Sequence, residues 1–307
     1  MASSHSATIG PVAAAPAWSQ PGQRANPVRS FFGQLLATRL VPIGMLVLGI
    51  VLLCAIFADL ISPYPPNLQD YTQLTMPPSS RHLLGTDDIG RDVLSRVIHG
   101  SRVSLQVGII AVGIALTLGV SFGLTAGYVG GTAGTLIMRV MDSVQAFPSL
   151  ILALAITAAL GPSIGNAMIA IGITSMPLIA RLTRGQTLSV REREYVTASR
   201  VLGASSVRIV ARHVFPNITS PIIVQATLLI ASAIVTEAAL SFLGVGARPP
   251  TATWGSMLRT GSQLLEAAPW LAFAPGIAIF ATVLAFNLIG DGLRRALDPR
   301  LQRRQHS

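Results

Sequence analysis

The reactive side chains of this chain are few, and the first fact about them is an absence. All 22 of its Lys+Arg residues are arginine. A phosphate-binding P-loop needs a lysine that reaches the terminal phosphates, so the chain is not itself a P-loop ATPase. The five histidines, His5, His82, His99, His213 and His306, lie on scattered segments without ligand spacing and give a metal site no support. Cys54 is the single cysteine, which excludes an intramolecular disulfide. GPSIG at 161–165 fits the G-x-S-x-G nucleophile elbow, but that motif needs a strand before it and a helix after it, and here it joins two apolar runs. No catalytic residue, metal or cofactor is assigned to this chain, which reads as a non-enzyme.

Two other groups of polar residues call for an explanation. Glu237, in TEAALSFLG, is the only acid in a long apolar run, and Ser241 follows one helical turn later. Such a carboxylate faces either a water-filled path or a partner helix, because lipid excludes it. Helix packing and a lining role in a translocation path both remain open for it. The second group is the stretch VREREYVTASRVLGASSVRIVARHVFPN at 190–217, which is densely charged in a chain that is only 11% charged overall. Its residues spell two short helices, about 192–202 and 206–214. Gly203 is the stop between them, Ser205 or Ser206 the cap of the second, and Pro216 discourages further helix. Tyr195, Ala198, Val201 and Leu202 share one face of the first helix. This pair reads either as a docking element for a groove on another protein or as an amphipathic hairpin on the membrane surface.

The elements that must position these residues are read from the charge-free runs. Residues 40–58, 103–138, 143–180, 213–236 and 267–290 carry no charged side chain. A bilayer core needs ~20 apolar residues per helix, so two of these runs are long enough for more than one element. With breaks at GYVGG (127–131) and GPS (161–163), six spans are expected at about 40–61, 103–127, 135–160, 164–182, 217–243 and 268–290. Gly119, Gly123 and Gly127 give the second span a smooth face for close helix packing. Asp142 is expected to pair with Arg139 at the start of the third.

Arginine sets the orientation. With the N-terminus inside, Arg24, Arg29, Arg39, Arg139, the seven arginines from Arg181 to Arg212 and the five from Arg294 to Arg304 are cytoplasmic, against six outside. The net charge of +10 follows from this pattern. Nucleic acid is excluded as a partner because the arginines flank spans and line no single soluble face. Residues 1–39 read as a disordered cytoplasmic tail, 62–102 as an extracytoplasmic segment, 103–290 as a five-helix core including the loop 183–216, and 291–307 as a cytoplasmic tail. Within 62–102, GRDVLSRVIHG is expected to form a short interfacial helix with Val93, Leu94 and Val97 on its apolar side, lying on the bilayer or meeting a partner.

The stretch EYVTASRVLGASSVRIVARHVFPN resembles the cytoplasmic signature loop of bacterial ABC importer permeases. Thr197, Ala198 and Ser199 fall at its E-A-A positions, Gly203 at its glycine and Pro216 at its proline; Thr197, Ser199 and His213 depart from the general pattern. HLLGTDDIGRDVLSRVIHGSRVSLQVG (82–108), MRVMDSVQAFPSLILALAI (138–156), EAALSFLGVGARPPTATWGSML (237–258) and LAFNLIGDGLRRALDPRL (284–301) resemble the C-type permease subunit of dipeptide/oligopeptide importers. The similarity covers about residues 40–301, and importers of nickel and glutathione share it.

The resemblance implies an all-α membrane protein with six transmembrane helices and the type I ABC importer permease fold, in the bacterial cytoplasmic membrane. It implies a homologous B-type permease as partner, two ATP-binding subunits or one fused ATPase chain, and an extracytoplasmic solute-binding protein. ATP and magnesium belong to those ATPase subunits. It marks Glu194, Tyr195, Thr197, Ala198, Ser199, Arg200, Gly203, Ala204 and Ser205 as ATPase-coupling residues. Glu237 and Ser241 are candidates for the translocation path, and Asp87, Arg91 and Asp92 for contact with the binding protein. An ion-coupled transporter, which works alone and shows charged, discontinuous helices at mid-membrane, is the competing class.

Overall fold

A computed structural model describes residues 40–297; residues 1–39 and the last part of the C-terminal tail lie outside the described residues. Among the described residues the regular elements are all helices, apart from one isolated bridge between Thr86 and Asp92 in the turn-rich segment 62–92. In chain order the helices are α1 (Val41–Ile56), α2 (Ala58–Ile61), α3 (Val93–Tyr128), α4 (Gly131–Gln145), α5 (Ser149–Leu160), α6 (Ile164–Arg191), α7 (Glu194–Val201), α8 (Ser206–Ile209), α9 (Phe215–Phe242), α10 (Trp254–Gln263) and α11 (Trp270–Leu297). Among the described residues, four helical stretches are long and apolar enough to cross a membrane: α3, α6, α8 through α9, and α11; a bent pair, α4 with α5, makes up to five.

The boundaries differ from the sequence expectation in instructive ways. The expected interfacial helix at 90–100 is not separate, because α3 runs unbroken for 36 residues from Val93. Its start is fixed by Asp92, whose Oδ2 accepts hydrogen bonds from the Ser95 amide at 2.8 Å and the Ser95 hydroxyl at 2.7 Å. The expected span at 135–160 is broken by an 89° bend between α4 and α5. Pro148 has no amide hydrogen and disfavours helical backbone at Phe147, so the ladder stops there. The apolar run at the N-terminus gives only a 16-residue helix, followed by a hinge at Phe57 and the short α2. Pro216 does not interrupt the second loop helix either. A π turn over Val210–Val214 joins α8 to α9, and Pro216 occupies the first turn of α9, where a missing amide hydrogen goes unnoticed.

The core is built where α3 lies against α6. A side chain added at Gly123 would place its first carbon 2.5 Å from the Ala180 carbonyl oxygen, and at Gly119 2.8 Å from that of Met176. The expected smooth face is therefore what lets the two backbones approach. Val107, Ala111, Val112, Ala170, Ile171 and Ile179 fill the adjacent layer. Asp142, expected to pair with Arg139, instead accepts from Arg181 of α6 at 2.8 Å, which ties α4 to its neighbour.

Candidate functional site

The loop at 190–217 hangs from the end of α6 by its own small core. Val196, wholly buried on α7, packs with Val190, Ile209, Val214, Ile218 and Ile222. Gly203 takes φ +80 at the turn, a backbone conformation that favours glycine, and Ser205 holds the N-cap position of α8 without a side-chain cap bond. With the inner face anchored, the tip turns apolar residues outward: Val201, Leu202 and Val207 are 82%, 86% and 79% exposed. Ala198 lies on the exposed face, and so do Glu194, Tyr195, Thr197, Arg200 and Ser205. Ala204 turns partly inward to the small core, and Ser199 hydrogen-bonds its hydroxyl to the Tyr195 carbonyl at 2.8 Å. The sequence expectation found the outward face. It missed Val196, whose place opposite Val201 and Leu202 on a helical wheel is the only local sign of its anchoring role.

At the far end of the bundle, residues 57–92 fold over the start of α3 as a hydrogen-bonded cap. Thr86 is its hub: its hydroxyl donates to the Gln73 carbonyl at 2.5 Å and accepts from the Met76 amide at 2.8 Å. Asp92 accepts from the α3 terminus and from His82 Nδ1 at 2.8 Å. Asp87 accepts from the amides of Ile89 and Arg91 and from Arg91 Nε at 2.6 Å. Asp87 and Asp92 are both buried. In this conformation they hold the cap together and are little exposed, Asp87 also lining a cavity wall, while Arg91 is half-buried and Asp88 exposed. The start of α3 is fastened to the C-terminal half by the Trp254 indole, which donates to the Val97 carbonyl at 2.9 Å across Gly100, and the cap by the Trp270 indole, which donates to the Thr86 carbonyl at 3.4 Å.

Between cap, α9 and α10 lies a cavity of about 320 Å³, lined among others by Asp87, Arg91 and Arg96 on one side and Ser241, Arg248 and Arg259 on the other. Glu237 sits one turn below Ser241 and is buried. Its Oε1 accepts the Ser241 hydroxyl at 2.7 Å, while Oε2 has no partner. The structure thus brings the expected pair together and places Ser241, though not Glu237, on a cavity wall. The arginines of that wall come from segments far apart in sequence, and no local pattern announces them. Among the described residues no group of three or more His, Cys, Asp or Glu side chains is placed to hold a metal.

Comparison with known proteins accounts for this architecture. Residues 119–303 match the family described as binding-protein-dependent transport system inner membrane component, and residues 26–78 match the N-terminal TM domain of oligopeptide transport permease C. The di/tripeptide transport system permease protein DppC of Pseudomonas aeruginosa is 47% identical over 283 residues, covering 90% of this chain and 93% of that protein. The glutathione transport system permease protein GsiD of Pectobacterium atrosepticum is 43% identical over 278 residues, covering 90% and 92%. A chain from inward-facing structures of the MetNI methionine ABC transporter superposes with a TM-score of 0.56 over 67% of this chain and 98% of its own, at 15% identity, and so shares the fold. The chain belongs to the C-type permease subunits of bacterial dipeptide/oligopeptide ABC importers.

Proposed function

We propose that this chain forms half of the translocation path of an ATP-driven importer of di- or oligopeptides, paired with a homologous B-type permease and driven by separate or fused ATPase subunits. In this reading it crosses the bacterial cytoplasmic membrane six times, with α1–α2 and the bent α4–α5 pair each counted as a span. Both termini and the loop at 183–216 are cytoplasmic, and the cap and α10 face outward toward a solute-binding protein. The observation that carries the reading is the apolar tip of the loop. Val201, Leu202 and Val207 are held out on an internally anchored turn and stay exposed among the described residues. A protein surface of that kind fits a groove on another protein.

The peptide cargo rests on what the DppC relatives are named for, and the GsiD relative favours glutathione as the one specific second cargo. Coexpression with the candidate ATPase, B-type and binding-protein subunits, followed by reconstitution, tests the assignment. ATP-dependent uptake of a dipeptide, competed by other peptides and weakly by glutathione, is the expected result. Absence of ATPase copurification together with ion-gradient-driven uptake would establish the ion-coupled class instead. Nickel serves as the control cargo.

A further inference from the structure

Arginine is sparse on the side that the charge pattern assigns to the outer face, six residues in all. Four of those six, Arg91, Arg96, Arg248 and Arg259, nevertheless line the one 320 Å³ cavity beside the cap. Asp87 is the single carboxylate on its wall, and it is already engaged by Arg91 Nε at 2.6 Å and by two backbone amides. Arg96, buried, stands 3.7 Å from Asp87 and otherwise donates to the Pro66 and Pro250 carbonyls and to Asn67. Arg248 and Arg259 are exposed and form no ion pair with any described residue. The Arg259 guanidinium lies over Gly244, at the end of α9, in space that a side chain there would fill. Arg91 and Arg96 share Asp87, and Arg91 also meets Asp88 at 3.7 Å, so the unmatched positive charge of this lining is that of Arg248 and Arg259, from whose side chains the fold gains no bond among the described residues. A guanidinium fork matches a carboxylate in shape and charge.

We propose that this cavity is a carboxylate-binding site filled from the outer side, by the C-terminal carboxylate of a peptide or by an acidic side chain of the solute-binding protein. The choice of occupant rests on the importer reading; the anion site itself rests on the arginines. Arg96 and Arg91 form its fixed inner wall, and Arg248 and Arg259 supply the accessible donors at its mouth.

The test uses the purified transporter complex in nanodiscs and the double variant Arg248→Gln/Arg259→Gln, which leaves every hydrogen bond of the cap in place. Sodium acetate, compared with sodium chloride at equal ionic strength, should raise the melting temperature of the wild type and lose that advantage in the variant. Arg248→Lys/Arg259→Lys should retain most of it. Dialanine and its C-terminal amide, and then peptide-free binding protein over a salt series, separate the two sources. A peptide occupant predicts roughly tenfold weaker dialanine binding in the variant, with the amide already weak in the wild type. A protein occupant predicts a similar loss of binding-protein affinity and a flatter salt dependence. Equal acetate response, dialanine affinity and binding-protein affinity in wild type and Gln variant overturn the site. A wild-type complex that takes up no peptide overturns the importer reading instead, and leaves the acetate comparison to decide on the cavity.

Discussion

Replacing Leu202 with serine separates the two faces of the signature loop. Leu202 is 86% exposed, so the folded chain has almost nothing to lose from the change, and surface substitutions of this kind stay within about 0.5 kcal/mol. If the tip enters an ATPase groove, nearly the whole side chain goes from water to an apolar contact, worth about 2 kcal/mol. That is roughly a thirtyfold weaker dissociation constant for the ATPase subunits. Ile209→Ala supplies the opposite case. Ile209 is buried against Val196 and Val214, and its truncation costs about 3 kcal/mol of local stability without touching the outward face. The assay is titration of ATPase subunits onto nanodisc-held permease, with the melting temperature followed in parallel. Leu202→Ser should weaken binding and leave melting alone, whereas Ile209→Ala should lower melting first. ATPase affinity within twofold of wild type for Leu202→Ser, at full substrate-stimulated hydrolysis, would refute the docking role of the tip.

Ala198→Trp and Gly203→Val should both reach the membrane and both abolish substrate-stimulated ATPase activity. The first blocks close approach on an exposed face; the second adds roughly 1–2 kcal/mol of backbone strain at φ +80 with no steric contact to share the blame. ATPase copurification tells lost docking from lost coupling, and normal uptake by both would end the idea. Gly123→Leu, by contrast, should act on the fold: a side chain 2.5 Å from the Ala180 carbonyl must push α3 from α6, with an expected loss of about 1–3 kcal/mol read as a lower melting temperature. An unchanged melting curve would show that the interface yields freely. Glu237→Gln keeps the Ser241 hydroxyl bonded through the amide oxygen while removing the charge, so assembly should persist and uptake should fall. Wild-type uptake would assign Glu237 to packing alone.

The sequence reveals most where one-dimensional pattern and physics coincide. Charge-free runs located the long helices, because lipid punishes any charge wherever it falls. Gly203 was legible as a left-handed turn and the Gly119, Gly123 and Gly127 row as a packing face, since both follow from glycine's missing side chain. Boundaries failed where a local bond overrode composition. Asp92 and Ser95 start α3 about three turns before its apolar run, and Pro148 turns a long apolar stretch through 89°. Contacts between distant segments were the hardest to read. Arg181 takes Asp142 from a nearer arginine although 39 positions separate them, and the cavity arginines meet only because α10 folds back over the cap.

The π turn at Val210–Val214 has a mechanical consequence. By joining α8 to α9 without a break, it makes Ser206–Phe242 a single rod of 37 residues, about 55 Å long at 1.5 Å per residue. Val207 rides near one end of that shaft, and Ser241, with its bond to Glu237, near the other. In the proposed coupling role, a push or twist delivered at the first end would reach the cavity wall along this shaft, whose hydrogen-bond ladder is interrupted at Pro216 and Pro221. The widened turn and the two prolines that follow it, which lack an amide hydrogen, gather the compliant places of the shaft near its loop end.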